Sequence, residues 1–278
     1  MTKEGKRILI WCGNASNQRA LANKIANQFH LCGIVVDYKT NQKKIPFIKR
    51  AIAAAQDRFF FRTLHDSWSS LQQKYSRQYP QWPDVPKLDA ASINSGEAFD
   101  FSKNLAPDLV VVSGTSLIKE AMLALSPGIG IINLHTGLSP YIKGGPNCTN
   151  WCISTAQYEK IGNTIMWINQ GIDAGNIITS EVTLLKDVKN LAEIQWQVME
   201  HAHELYQQAI EYLLNTTGPY NSIPQKEIAN GTLYLTKMWN YTAKKKLLGN
   251  LPAFLKNRWA KSGETIITVP IKQNMNER

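Results

Sequence analysis

Apolar residues come in short runs separated by longer stretches of helical period. Arg7–Trp11 and Gly33–Tyr38 are compact apolar segments, and between them Ala20, Leu21, Ile25 and Phe29 recur at helical spacing within Gln18–Phe29. A strand, helix and strand in this order predict parallel pairing through a right-handed crossover. Further along, Leu109–Val112 reads as a central strand introduced by the turn Ala106-Pro107-Asp108. Ser116–Leu125 reads as a helix stopped by Ser126-Pro127-Gly128, and Gly130–His135 as the next strand. Gly162–Asn169 and Asn176–Leu184 predict two more strands joined by residues 170–175. Asn190–Leu214 is a long amphipathic helix.

Two regions fit this alternation less well. Ile48–Tyr79 reads as one long helical stretch with Arg50, Arg58, Arg62 and Arg77, and is followed by a proline-broken connection, Pro80–Pro86. After Pro219 the character changes: Gly231–Leu235 predicts a strand, Ala243–Lys256 a short broken helix, and Thr265–Val269 a last strand. The expected fold class is α/β, a Rossmann-like, doubly wound, mostly parallel sheet with a small C-terminal α+β extension. The expected division is 1–215 for the main domain and 216–278 for the extension.

Composition narrows the setting. The chain has 278 residues, 44% hydrophobic and 19% charged, enough for a sizeable core. No apolar run approaches the length of a membrane span, and the charged start Met1–Arg7 leads straight into Ile8-Leu9-Ile10. A cytoplasmic protein that does not engage membranes is expected. Cys12, Cys32, Cys148 and Cys152 form no disulfide framework in that setting. Cys148 and Cys152 could share a helix face, but no second pair of ligands stands at matching spacing, so no metal site is expected. The net charge of +10 reads either as a solvated basic surface, helped by Lys244-Lys245-Lys246, or as attraction for anionic ligands. No basic stripe is interleaved with aromatics, so a nucleic-acid partner is not expected.

Three constellations carry chemistry. Asn133 and His135 lie two apart at the end of a strand, so both side chains point the same way. A hydrogen-bond donor and an imidazole at the mouth of a parallel sheet suit acyl-group chemistry. Gly13-Asn14-Ala15-Ser16-Asn17 joins the first strand to the first helix. It reads either as a cradle of amides for phosphate or carboxylate, or as a tight turn with a cap. Gln170-Gly171-Ile172-Asp173-Ala174-Gly175 is either a hairpin turn or a loop whose glycines let a ligand approach the backbone, with a carboxylate able to hold an imidazole charged.

Taken together, these segments resemble the folate-dependent formyltransferase family, which includes glycinamide ribonucleotide transformylase, methionyl-tRNA formyltransferase and sugar-nucleotide N-formyltransferases. The resemblance covers about residues 7–215. It rests on Asn133-Leu134-His135, on Gly137-Leu138-Ser139-Pro140 in place of the family's Ser-Leu-Leu-Pro-like loop, and on Asp173-Ala174-Gly175. It implies Asn133, His135 and Asp173 as catalytic residues and 10-formyltetrahydrofolate as co-substrate, with no metal. It places Ser116, Leu117 and Ile118, together with Gly171 and Ile172, around the pterin. Gly13–Asn17 resembles the phosphate loop of the glycinamide ribonucleotide enzymes, with Ala15 where they carry glycine. The expected reaction moves a formyl group to the primary amine of a small phosphorylated acceptor, foremost a nucleotide-linked amino sugar and next glycinamide ribonucleotide. Hydrolysis of the formyl donor and silent folate binding are the remaining readings. The extension, with Tyr234, Trp239, Tyr241 and Trp259, is expected either to pack as a satellite cluster, to meet a base or sugar, or to form a homodimer interface.

Overall fold

The computed structural model describes residues 5–39, 58–256 and 265–271. Among these residues are nine strands: β1 Ile8–Gly13, β2 Leu31–Asp37, β3 Lys87–Ala90, β4 Leu109–Ser113, β5 Gly130–His135, β6 Ile142–Gly144, β7 Gly162–Trp167, β8 Ile177–Val182 and β9 Thr232–Tyr234. Seven of them form one sheet in the order β3-β2-β1-β4-β5-β7-β8. The first five of that order run parallel, and β7 and β8 close the edge antiparallel. The fold is thus Rossmann-like and mostly parallel, as the alternation of elements predicts. The hairpin at the β8 edge is what carries Asp173.

Strand β1 shows why the sheet is covered on both faces. Its side chains alternate. Ile8, Ile10 and Cys12 enter a core shared with Leu21 and Ile25 of α1 (Ser16–Gln28). Leu9 and Trp11 enter the opposite core, with Ile93, Ala98 and Met122. A strand buried on both sides reads as a continuous apolar run. The first core is closed by Ala202, Leu205, Tyr206, Ala209, Ile210 and Leu213 of a 25-residue helix, Leu191–Asn215. The Tyr206 hydroxyl accepts from Val112 N–H at 2.8 Å and lies 2.9 Å from the Ile132 carbonyl. It therefore joins β4 and β5 just before both strands reach the site.

The remaining helices, in chain order, make α2 Arg62–Gln78, α3 Gly96–Asn104, α4 Glu120–Leu123 and α5 Cys148–Ser154. The 25-residue helix is α6, and Tyr241–Leu255 is α7. Several sequence expectations change here. Of Ile48–Tyr79, the part before residue 58 lies outside the described residues; α2 covers Arg62–Gln78 of the remainder. Ser116–Leu125 is not a helix beyond the single turn of α4. Long-range side chains claim its first backbone groups: Asp37 Oδ2 takes Ser116 N–H at 2.7 Å, and Asn94 bonds both the Leu117 carbonyl (2.9 Å) and Lys119 N–H (2.8 Å). Helix α7 is continuous, with Asn240 capping Ala243 N–H and Pro252 inside its last turn. Thr265–Val269 is not a strand; Val269 makes one bridge to Ser180. Strand β3 and helix α3 come from the unassigned stretch after Pro86. There Ser95 Oγ caps Ala98 N–H at 3.2 Å.

The segment after Asn215 packs on the same chain. Strand β9 pairs with β6, and Leu247 and Leu251 of α7 share a core with Leu138, Ile142 and Trp151. Tyr234 stacks on Trp151 at 4.3 Å and Trp239 meets Trp151 edge-on, so these two aromatics form the satellite cluster. Tyr241 is exposed, and Trp259 lies outside the described residues. All four cysteines are free and buried. Among the described residues no helix is long and apolar enough to cross a membrane, and no cluster of His, Cys, Asp and Glu could hold a metal ion.

Candidate active site

Ligands of open parallel sheets gather beyond the carboxyl ends of the strands, where the strand order reverses. Here that point lies between β1 and β4, and the adjoining end of β5 extends it. A hollow of about 630 Å³ opens there. The turns after β1 and β4 pack tightly enough that a Cβ at Gly13 would stand 2.7 Å from the Gly114 carbonyl oxygen.

The structure brings Asn133, His135 and Asp173 together in this hollow. Asn133 and His135 share a face of β5. Asp173 arrives from the β7–β8 connection, held at φ +46°, a left-handed conformation uncommon outside glycine. Its carboxylate sits between the other two: Oδ2 lies 3.3 Å from His135 Nδ1 and Oδ1 3.5 Å from Asn133 Nδ2. Gly144 N–H donates to Oδ2 at 2.9 Å. The far nitrogen of the ring, Nε2, faces the Ile142 carbonyl at 3.1 Å and Cys148 Sγ at 3.5 Å. A side chain at Gly137 would collide with His135 Nε2 and the Cys148 sulfur, so only glycine leaves the imidazole its place.

Burial is the largest single influence on His135 and opposes its charge, but the Asp173 carboxylate, Cys148 and the Ile142 carbonyl together outweigh it. The ring is held well above its ordinary value. Burial raises the Cys148 thiol in turn, so at neutral pH it is an uncharged partner of the ring. Both ring protons are then placed, Nδ1–H on Asp173 and Nε2–H on Ile142. Among the described residues the Asn133 amide makes one long contact, to Asp173, which leaves it able to donate to a carbonyl oxygen.

The other residues singled out in the sequence fall around this cluster. Ser116, Leu117 and Ile118 line one wall, and Gly171 and Ile172 another. Leu117 and Ile172 expose apolar surface while Ile118 is buried. Gly13, Asn14, Ala15 and Asn17 line the hollow, but Ser16 does not. Its N–H and hydroxyl both go to Gln72 of α2, at 2.8 and 2.5 Å, and Gln72 also donates to Asn17 Oδ1 at 3.0 Å. Part of the amide cradle at the start of α1 is therefore taken within the protein.

Asp37, Gln18, Lys39 and Trp68 went unseen as contributors in the sequence. Asp37 is fully buried at the end of β2 and accepts from the backbone of Lys39, Ile93 and Ser116. It fixes the wall that carries Ser116–Ile118. Its only sequence signal is a lone acid closing an apolar strand. Gln18 reaches the hollow beside Gly114, and Trp68, Lys39 and Tyr234 line its rim. Trp68 sits one turn before Gln72 on α2, and nothing local marks it.

Comparison with known proteins fits this architecture. Residues 6–210 match the family described as formyl transferase, and the chain belongs to that folate-dependent formyltransferase family. A methionyl-tRNA formyltransferase from Clostridium tetani is 30% identical over 118 residues, 42% of this chain and 37% of its own length. The chain spans less than half the length of the first curated relatives it matches. Among solved structures, a sugar N-formyltransferase from Shewanella sp FDAARGOS_354 superposes with a TM-score of 0.54 at 14% identity, covering 88% of each chain. A phosphoribosylglycinamide formyltransferase from Anaplasma phagocytophilum gives 0.50 at 17% identity, covering 83% of this chain and 100% of the other. Identities this low establish the shared fold.

Proposed function

We propose that this protein transfers the formyl group of 10-formyltetrahydrofolate to the primary amine of a small phosphorylated acceptor, a nucleotide-linked amino sugar. The observation that carries the reading is the convergence of Asn133, His135 and Asp173 at the hollow's floor. The exposed apolar surfaces of Leu117 and Ile172 suit the flat pterin.

The chemistry follows from the geometry. As the amine nitrogen bonds to the formyl carbon, negative charge grows on the formyl oxygen, and the Asn133 amide donates to it. The buried, charged His135 ring adds a favourable field at the same place. Preorganised groups of this kind are worth several kcal/mol in a dry site. The proton leaving the amine goes to Asp173, directly or through one water, and then to the folate nitrogen as the old carbon–nitrogen bond breaks. The carbonyl re-forms, giving the N-formylated acceptor and tetrahydrofolate.

The acceptor class is supported by the rim. Trp68 offers exposed aromatic surface and Lys39 a cation, which suits a base and a phosphate. Glycinamide ribonucleotide is the second reading, favoured by Gly13, Asn14, Ala15 and Asn17 on the wall. It is weakened by the commitment of Ser16 to Gln72. Tetrahydrofolate release should be followed with each amine in turn and with none. Release that requires an amino-sugar nucleotide supports the proposal. Release without any amine shows a hydrolase, and binding without release shows a silent folate protein.

A further inference from the structure

The turn that carries Asp173 is gripped from outside the stretch that matches the family. Gln225 follows α6 in the chain and is nine-tenths buried. Its amide nitrogen donates to the Asp173 carbonyl at 2.8 Å and to the Gly175 carbonyl at 2.9 Å. One backbone N–H could satisfy only one of these carbonyls. A side-chain NH₂ carries two donors and can bridge both. The segment holding Gln225 is anchored in turn. Ile223 and Ile177, at the start of β8, exchange both backbone hydrogen bonds at 2.8 Å.

The turn needs such a hold. Asp173 sits at φ +46°, a conformation that costs free energy and persists only when the surroundings over-determine it. Gly171, Ile172 and Ala174 beside it are exposed. The other observed bonds local to the turn are Gly171 N–H to Asn169 Oδ1, Trp167 N–H to the Asn176 carbonyl at the base of the connection and those of the Asp173 carboxylate itself.

We infer that Gln225 is a positioning residue for Asp173, clamping its backbone so that the carboxylate meets His135 and Gly144 at once. The inference rests on the proposed role of Asp173, and it places a determinant of the site in the segment beyond Asn215.

The test uses the full chain with Gln225→Met, which keeps length and bulk but no donors, and Gln225→Glu, which turns an acceptor toward two carbonyls. The primary readout needs no substrate: titration of the His135 ring by NMR in the unliganded protein. Both variants should titrate lower than wild type while staying folded, because the carboxylate is no longer held at the ring. Tetrahydrofolate release with 10-formyltetrahydrofolate and an amino-sugar nucleotide should show kcat down roughly 10- to 100-fold with KM little changed, as for a misplaced catalytic group. An unaltered His135 titration with wild-type kcat overturns the clamp. So does unfolding of both variants at the assay temperature, which makes Gln225 an ordinary core residue. Asp173→Asn serves as the control: if it retains turnover, the proton-acceptor reading fails, while the His135 titration still judges Gln225 separately.

Discussion

Replacing Asp173 by Asn removes one charge and keeps the shape of the side chain. Oδ2 stands 3.3 Å from His135 Nδ1, and the two side chains are 14% and 8% exposed. Unit charges at that separation attract by about 5 kcal/mol at an effective dielectric of about 20, and desolvation takes part of that back. A few kcal/mol remain, enough to move an imidazole by about 2 pH units or more. In Asp173→Asn, burial acts on His135 without its counter-charge and should drive the ring below the ordinary 6.5. The assay is the pH dependence of the His135 Cε1–H resonance. In wild type the ring should stay protonated through pH 8; in the variant it should titrate below 6.5. Turnover should fall by roughly 10²- to 10⁴-fold, the range for loss of a general base. A wild-type His135 that titrates near or below 6.5 would refute the reasoning, since the carboxylate would then not help to offset burial.

Stability should follow the same pair. The folded His135 is pushed up to about 10, so its contribution is full below the unfolded value near 6.5 and is lost as pH rises through about 10. The gap in unfolding free energy between wild type and Asp173→Asn should close over that window in denaturant titrations; a constant gap would contradict the pairing. Asn133→Ala should lower kcat roughly 10²- to 10³-fold, about 3 to 4 kcal/mol, with little change in Tm, since its one observed side-chain bond is 3.5 Å long. A large drop in Tm would mark Asn133 as structural instead. Asp37→Asn replaces one of two acceptor oxygens with a donor, opposing at least one of the three backbone amides, and should cost about 2–4 kcal/mol in unfolding free energy. It should also raise KM for the folate more than KM for the amine; equal changes in both would free the Ser116–Ile118 wall from Asp37.

How much could be read beforehand depended on the range of the forces involved. Alternating apolar strands, the face shared by Asn133 and His135, and the Gly–Asp–Gly connection are local patterns, and each sits close to where the sequence puts it. The helix expected over Ser116–Leu125 was lost to Asp37 and Asn94, residues more than twenty positions away whose side chains compete for its first backbone groups. Ser16 likewise looked like an open phosphate donor until Gln72, 56 positions on, took its N–H. Gln225 and Trp68 carry no local signature at all; only the packing of α2 and of the segment after Asn215 brings them to the site. Propensity also misjudged α7, where Pro252 falls late enough in the helix to leave it continuous.

The most direct measurement follows a ¹³C label from the formyl group of 10-formyltetrahydrofolate to the nitrogen of an amino-sugar nucleotide by mass spectrometry. It should be run with wild type, Asn133→Ala, Asp173→Asn and the double variant. If the three side chains act as a unit, wild type delivers the label, each single variant nearly abolishes delivery, and the double variant is little worse than the poorer single one. Delivery at the wild-type rate by Asp173→Asn or Asn133→Ala would contradict the account.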